Sequence, residues 1–390
     1  MPIRDEAHGR ILRAGRRVAA LRPGRDVCHY RFMSRFVLPL RSVRKAGLVL
    51  IASLALGSAA YCQQVPTSTV GADVEAGFAA YLQSLRPKAK AQGVSDATFD
   101  RAMTGLTFNP RVAALDRSNL PTAADAPIPD FEPYRRQHID DRKIARGRAV
   151  YAANRALLSG IERETGVPEE IMVAIFGHET NYGTITGDFD LLRSLSTLAY
   201  EGRRRALFEP EVLAVLQMLE RGIPRERLVG SYAGAFGYPQ FLPTVYLRDA
   251  RDADGDGMPS IWSSQADALA SIANYFVRAG WRKGEPWGIA VRLPDGFDRS
   301  GLMAKTNPPR CKRVFDRHSR WLSMAEWRAL GVSPAKGVWP DDGMMATLLE
   351  PDGPGRTAYL LTGNYRTILD YNCSNFYALS VGLLADEVRE

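Results

Sequence analysis

The sequence predicts a mainly α-helical α+β protein with a small β-rich lobe. Three observations predict it. Apolar residues recur at the 3.6-residue period through most of residues 134–284. Residues 285–362 change character, carrying many Pro and Gly and short apolar runs. Apolar residues make up 45% and charged residues 24% of the 390, the balance of a globular chain, and the length fits one multi-lobed unit or two to three domains.

The elements follow in order. Residues 63–72 are small and polar and read as a linker. Residues 78–85 and 96–103 read as short helices. Pro110, Pro121, Pro127 and Pro129, with Pro133 next to them, predict an extended connection over 109–132. From Tyr134 a helical face runs through Ile144, Gly147, Val150, Tyr151, Leu157, Leu158 and Ile161. Gly166 closes it as a C-terminal cap, and Pro168 opens the next helix, 168–179, apolar along Ile171, Ala174 and Ile175. Further helices are predicted at 190–200, 203–222 and 265–279. In the β-rich lobe, 289–293 and 357–361 are the apolar runs and 323–330 is helical; residues 375–388 return to helix. The division is thus 1–62 leader, 63–133 linker and N-terminal helices, 134–284 helical core, 285–362 β-rich lobe and 363–390 return to the core.

The net charge of +8 suggests nucleic acid until it is partitioned. Residues 1–62 hold 12 of the 51 basic residues and three of the 43 acidic ones, which leaves 39 basic against 40 acidic in the body. The body has no excess to neutralise phosphates, so a nucleic-acid partner is excluded. Arg35, Arg41, Arg44 and Lys45 precede an apolar stretch of 15 residues, 46–60, with small residues Ser58, Ala59 and Ala60 at its exit. This is the pattern of a secretory signal peptide, too short for a membrane span, and it predicts export to the periplasm. Met33 would give that peptide an ordinary length. Cys62 is a candidate lipid attachment point to the membrane, although Tyr61 is bulky where such a site wants a small residue. In an oxidising compartment Cys311 and Cys373 form a candidate disulfide; two free thiols are the alternative.

Gly177-His178-Glu179 hints at a zinc protease, but that motif needs a second His at 182, where Tyr stands. Glu179 continues the apolar helical face of Ile171 and Ile175. A carboxylate there is desolvated and its pKa rises, as a glycosidase acid requires. A Glu paired with Arg193 or Arg204 fits that segment equally well. Gly230-Ser-Tyr-Ala-Gly-Ala-Phe-Gly-Tyr-Pro-Gln-Phe-Leu-Pro243 is Gly- and Ala-rich, so a ligand can approach its backbone. Ser231, Tyr232, Tyr238 and Gln240 add the hydroxyl and amide partners that sugars need.

Glu179-Thr-Asn-Tyr-Gly183 and the 230–243 segment together resemble the membrane-bound lytic murein transglycosylase B family, over about residues 134–388. The resemblance implies a lysozyme-like helical core beside an N-terminal helical lobe. It implies Glu179 as the single catalytic acid/base, Ser231 and Gln240 as polar groups around the cleaved bond, and Tyr134, Phe208 and Tyr275 as aromatic groove positions. Phe208 departs where a Tyr can stand. Tyr371-Asn-Cys-Ser-Asn-Phe-Tyr377 looks like the family's C-terminal segment and would return two aromatics to the site. The implied activity is that of a peptidoglycan lyase, with no cofactor needed for the chemistry. Glu179 would protonate the bridging oxygen between N-acetylmuramic acid and N-acetylglucosamine. It would then take the proton of the muramoyl 6-hydroxyl as that oxygen closes a 1,6-anhydro ring. A peptidoglycan hydrolase (muramidase) and a catalytically lapsed wall-binding scaffold are the alternatives. Glycan strands are the expected partner, cell-wall synthesis proteins are candidate partners, and a monomer is expected.

Asp252, Asp254 and Asp256 with Gly257 begin like an EF-hand loop, but position 12 is Ser263 rather than Glu. The resemblance implies closure by a later Asp, here Asp267, with the Met258 carbonyl as a further ligand. A structural calcium ion is expected to stabilise the lobe; an Asx-rich turn without metal is the alternative.

Overall fold

A computed structural model describes residues 71–119, 127–303 and 312–389. The leader, Cys62, Cys311 and the prolines at 121 and 308–309 lie outside the described residues, so the expectations for the leader and the lipid site are untouched by it.

The chain opens with α1 (Ala72–Ser84), α2 (Arg86–Ala91), α3 (Asp96–Met103) and α4 (Pro110–Ser118). The last corrects the expected extended connection. Asn109 caps it by accepting from the Val112 amide at 3.2 Å, and Pro110 occupies the first turn, where its missing N–H goes unneeded. The single helical run expected after Tyr134 is broken into α5 (Phe131–His138), α6 (Asp141–Ala153) and α7 (Arg155–Thr165). Asp140 supplies one break by capping α6 through the Lys143 amide at 2.7 Å. Asn154 supplies the other, ending α6 and starting α7. Gly166, left-handed at φ 73°, closes α7 as expected.

Then come α8 (Glu169–Thr180), β1 (Phe189–Asp190), α9 (Leu191–Glu201), α10 (Arg205–Glu220), β2 (Val229–Gly230), α11 (Pro243–Asp249) and α12 (Gln265–Ala279). The β-rich lobe holds β3 (Gly288–Arg292), α13 (Lys312–Phe315), β4 (Leu322–Ser323), α14 (Met324–Ala329), β5 (Ser333–Pro334), β6 (Met345–Leu349) and β7 (Ala358–Leu361). Its strands pair antiparallel in the order β4-β6-β7-β3-β5. Finally α15 (Gly363–Tyr371) and α16 (Asn375–Arg389) return to the helical core.

Two hydrophobic cores organise the described residues. One joins α1–α4 to α8, α9, α10, α12 and α16, so the N-terminal helices share the core of the rest. The other belongs to the β-rich lobe and centres on Trp327, whose indole N–H donates to the Ala346 carbonyl at 3.1 Å. Helix α8 is the axis of the first core. Seven consecutive residues from Ile171 to Gly177 are buried, so it is clasped on all sides, by α6, α7, α12 and α16. Each of its large apolar side chains contributes roughly 1.5–3 kcal/mol by burial. That burial makes α8 a rigid mount for whatever its last turn carries.

Candidate active site

Helix α8 ends in three consecutive left-handed residues, Asn181, Tyr182 and Gly183, at φ 50°, 60° and 83°. This conformation costs a tyrosine energy, so something must hold it. The Tyr182 ring is buried in a slot between α6 and α8 that exists because Gly147 and Gly177 have no side chains. A Cβ on Gly177 would lie 2.5 Å from the ring. The Tyr182 hydroxyl donates to the Lys143 carbonyl at 3.1 Å. Thr180 ties the same turn to the 230–243 segment, donating to the Tyr238 carbonyl at 3.1 Å and accepting from the Gly183 amide at 3.0 Å. The strand pair β1–β2 sets Phe189 against Gly230 and Asp190 against Val229. At Gly230 a Cβ would lie 2.2 Å from the Ala235 carbonyl, so the segment turns back on itself only with glycine there.

Glu179 stands half-buried in that last turn. Its Oε1 accepts from the Tyr377 hydroxyl of α16 at 2.5 Å. Burial pushes its pKa up to about 7, against the opposing pull of the Tyr377 hydrogen bond and the nearby Lys143 charge. Both arginines that could have paired with it are used elsewhere. Arg193 donates to the Thr107 and Phe108 carbonyls, and Arg204 pairs with Asp116. Among the described residues Glu179 has no ion-pair partner. It is therefore a carboxylic acid that both holds and releases a proton near neutral pH. Lys143 was not anticipated. Nothing in its own segment marks it; only the small residue Gly147, one turn on, shows that α6 comes close to α8.

The other predicted site residues fall into four groups. Ser231, buried, accepts from the Ala235 amide at 3.0 Å and keeps its own proton to donate. Gln240, left-handed at φ 51°, spends its amide N–H groups on the Gly237 and Thr186 carbonyls at 2.9 and 3.3 Å, which leaves its side-chain carbonyl to accept. Tyr371 and Tyr275 line a small cavity with Gln240 and spend their hydroxyls on the Pro239 and Asp370 carbonyls, at 2.5 and 2.8 Å. They offer rings rather than hydroxyls. Tyr134 stacks on His138 at 3.8 Å between centroids, and the column continues through His178 to Tyr377. Tyr232 is half-buried and accepts from the Asn119 side-chain amide at 3.1 Å.

Phe208 does not fit the groove position expected of it. It is 1% exposed on α10, and the Arg204 guanidinium covers its ring at 4.8 Å. It is a core residue, in keeping with its missing hydroxyl. Tyr377 returns to the site as the C-terminal segment was expected to, with its hydroxyl donating to Glu179.

In the acidic loop, ligand oxygens of Asp252, Asp254 and Asp256 come within 4.8 Å of one another, all exposed. Hard oxygens so gathered fit a hard cation such as calcium. Asp267 is not among them. It is fully buried at the start of α12, where Oδ1 accepts from the Ala253 and Asp254 amides and Oδ2 from the Ser260 amide at 2.6 Å. It shapes the loop from beneath rather than completing the cluster. Met258 donates its amide to Asp256 Oδ1 at 2.8 Å. Cys373 is disulfide-bonded, and its expected partner Cys311 lies outside the described residues.

Fold and site together define a lysozyme-like helical protein with a half-buried, proton-exchanging Glu179 beside aromatic side chains. The chain belongs to the transglycosylase SLT domain family, whose pattern it matches over residues 77–386. It is 32% identical over 264 residues to membrane-bound lytic murein transglycosylase B of Escherichia coli K12, a match covering 65% of this chain. The chain spans 66% of that curated relative's length, just under two thirds. Its fold is similar to SltB3 from Pseudomonas aeruginosa in complex with NAG-anhNAM-pentapeptide: TM-score 0.71, 39% identity, 80% of this chain and 79% of that one. It is also similar to Escherichia coli Slt35 in complex with calcium, at TM-score 0.62 and 27% identity over 81% of this chain and 93% of that one.

Proposed function

We propose that this protein is a lytic transglycosylase that cleaves the β-1,4 bond between N-acetylmuramic acid and N-acetylglucosamine in peptidoglycan. The observation that carries the reading is the isolation of Glu179 among the described residues, poised at about 7 with the Tyr377 phenol as its one hydrogen-bond donor there. An ordinary glycosidase needs two carboxylates. The candidates near it in sequence are otherwise placed: Asp190 caps α9 and pairs with Arg225 at 2.9 Å, and Asp188 is exposed on the approach to β1.

One acid suffices if the substrate supplies the nucleophile. Glu179 gives its proton to the bridging oxygen as the C1–O4 bond breaks. The muramoyl 6-oxygen attacks C1, and its proton passes to the Glu179 carboxylate, which restores the starting state. No water is consumed, and the product ends in a 1,6-anhydro ring. Ser231 and the Gln240 carbonyl hold sugar polar groups, while Tyr134, Tyr275 and Tyr371 give faces for the rings to lie on. The relative SltB3 was crystallised with a fragment of this kind.

Asp252, Asp254 and Asp256 would hold a calcium ion, which supplies fixed positive charge to a crowded acidic loop and takes no part in bond cleavage. The basic and apolar leader supports export to the periplasm, with Cys62 as the candidate anchor. The test is mass spectrometry of muropeptides released from purified peptidoglycan. Products lighter by one water than reducing muropeptides, absent with Glu179→Gln, are expected; hydrated reducing ends would make the protein a muramidase instead.

A further inference from the structure

The end of α12, the middle of α15 and the edge of the β-rich lobe line an open cavity of about 500 Å³ that no step above uses. Its walls include Ala279, Arg282, Trp321, Met345, Arg366 and Thr367. It continues the groove. Ala279 stands four residues after Tyr275 on α12, and Thr367 four before Tyr371 on α15, so both helices carry groove and cavity on one face, about 5 Å apart.

Arg366 is the unusual wall. Its guanidinium lies 3.8 Å from the Phe315 ring centroid and 4.9 Å from that of Trp321. Its one hydrogen bond is a long contact with Thr347 Oγ1 at 3.5 Å, and its Nη1 is buried without a partner. Burial pulls its pKa down to about 10. Among the described residues no carboxylate pairs with it. A guanidinium set against two rings, with a buried nitrogen short of acceptors, is costly unless an acceptor arrives. Arg282 adds a second cation, whose side chain among the described residues pairs with Glu285 alone, at 3.4 Å. Asp370, the acidic residue of the wall, has an interaction of its own.

We infer that this cavity is a subsite for the free carboxylate of a stem peptide carried by the glycan strand, with Arg366 as its planar, fork-shaped partner and Trp321 and Met345 covering the peptide's apolar part. This rests on the substrate proposed above and deepens it. A strand lying along Tyr275 and Tyr371 projects its peptides sideways, and a peptide following either helix face meets the cavity one turn on.

The experiment has two arms on the whole protein. Calorimetry compares a synthetic stem tetrapeptide with its C-terminal carboxamide, and kinetics compares glycan strands with and without stems. The acid is expected to bind about tenfold tighter than the amide, as one charge-assisted contact predicts. Arg366→Met is expected to erase that difference and to lower kcat/KM on stem-bearing relative to bare strands about tenfold. Arg282→Ala, at an exposed position, is expected to act in the same direction but less, and serves if the Arg366 variant does not fold. Equal binding of acid and amide to the unaltered protein overturns the subsite, as does a preference that survives in Arg366→Met. Peptide bound through Arg366 without any glycan cleavage would refute the proposed function and leave the subsite standing. Cleavage without peptide binding or stem preference would do the reverse.

Discussion

Glu179 in the groove and Asp267 beneath the acidic loop are both carboxylates withdrawn from water, and the protein treats them in opposite ways. Burial pushes both pKa values up. Asp267 receives three backbone N–H donors, from Ala253, Asp254 and Ser260. Glu179 receives one hydroxyl, and that from a side chain. The donors fix Asp267 in place as a folding element. Their scarcity leaves Glu179 able to exchange a proton. The number of donors, more than the depth of burial, separates a structural carboxylate from a reactive one.

The strongest way to break the comparison is Glu179→Gln. Muropeptide release is expected to fall by about 10³-fold or more, since the amide neither gives nor takes the proton. The sign of its stability effect also follows. A carboxyl raised to about 7 stabilises the fold at acid pH and loses that contribution as pH rises from its unfolded value through 7. Glu179→Gln is therefore expected to be more stable than the unaltered protein at pH 8, by about 3 kcal/mol at 1.4 kcal/mol per pKa unit, and to match it near pH 4; denaturant melts at the two pH values check this. Next in size, Asp267→Ala strands three amides and is expected to cost about 3 kcal/mol in denaturant unfolding, with Asp267→Asn costing less. Tyr377→Phe sharpens the comparison from the other side. Removing the one donor raises the Glu179 pKa further, so the alkaline fall in the pH–rate profile is expected to move up by about one unit. The smallest effect belongs to calcium. Saturating calcium is expected to raise the melting temperature by a few degrees, to leave kcat at 25 °C unchanged and to do nothing in Asp254→Ala.

Much of this was legible from the residues alone. Helices 168–179 and 265–279 could be read because their caps and periodicity agree, and Glu179 stood out as a charge on an apolar face. What failed were features that depend on contacts distant in sequence. Pro110 read as a breaker, yet Asn109 makes it the start of a helix. Phe208 is withdrawn by Arg204 folding over it, which no spacing predicts. Asp267 had the right residue type near the acidic loop, but its backbone donors sit 7 to 14 residues away and claim both oxygens. The Tyr377 bond to Glu179 spans 198 residues, so its geometry became visible only with the fold.

The slot that seats Tyr182 has a consequence for how this sequence can drift. A Cβ at Gly147 would lie 2.4 Å from the Tyr182 hydroxyl oxygen, and one at Gly177 would press on the ring itself. Neither glycine can acquire a side chain while the tyrosine stays, and the tyrosine cannot be lost without leaving a hollow under the catalytic turn. Gly177 and Tyr182 form one coupled pair, open to joint change but closed to single steps, whereas a Cβ at Gly147 would also meet Val388 at 2.6 Å. Gly177→Ala should therefore be tolerated only in a background where residue 182 has first become smaller.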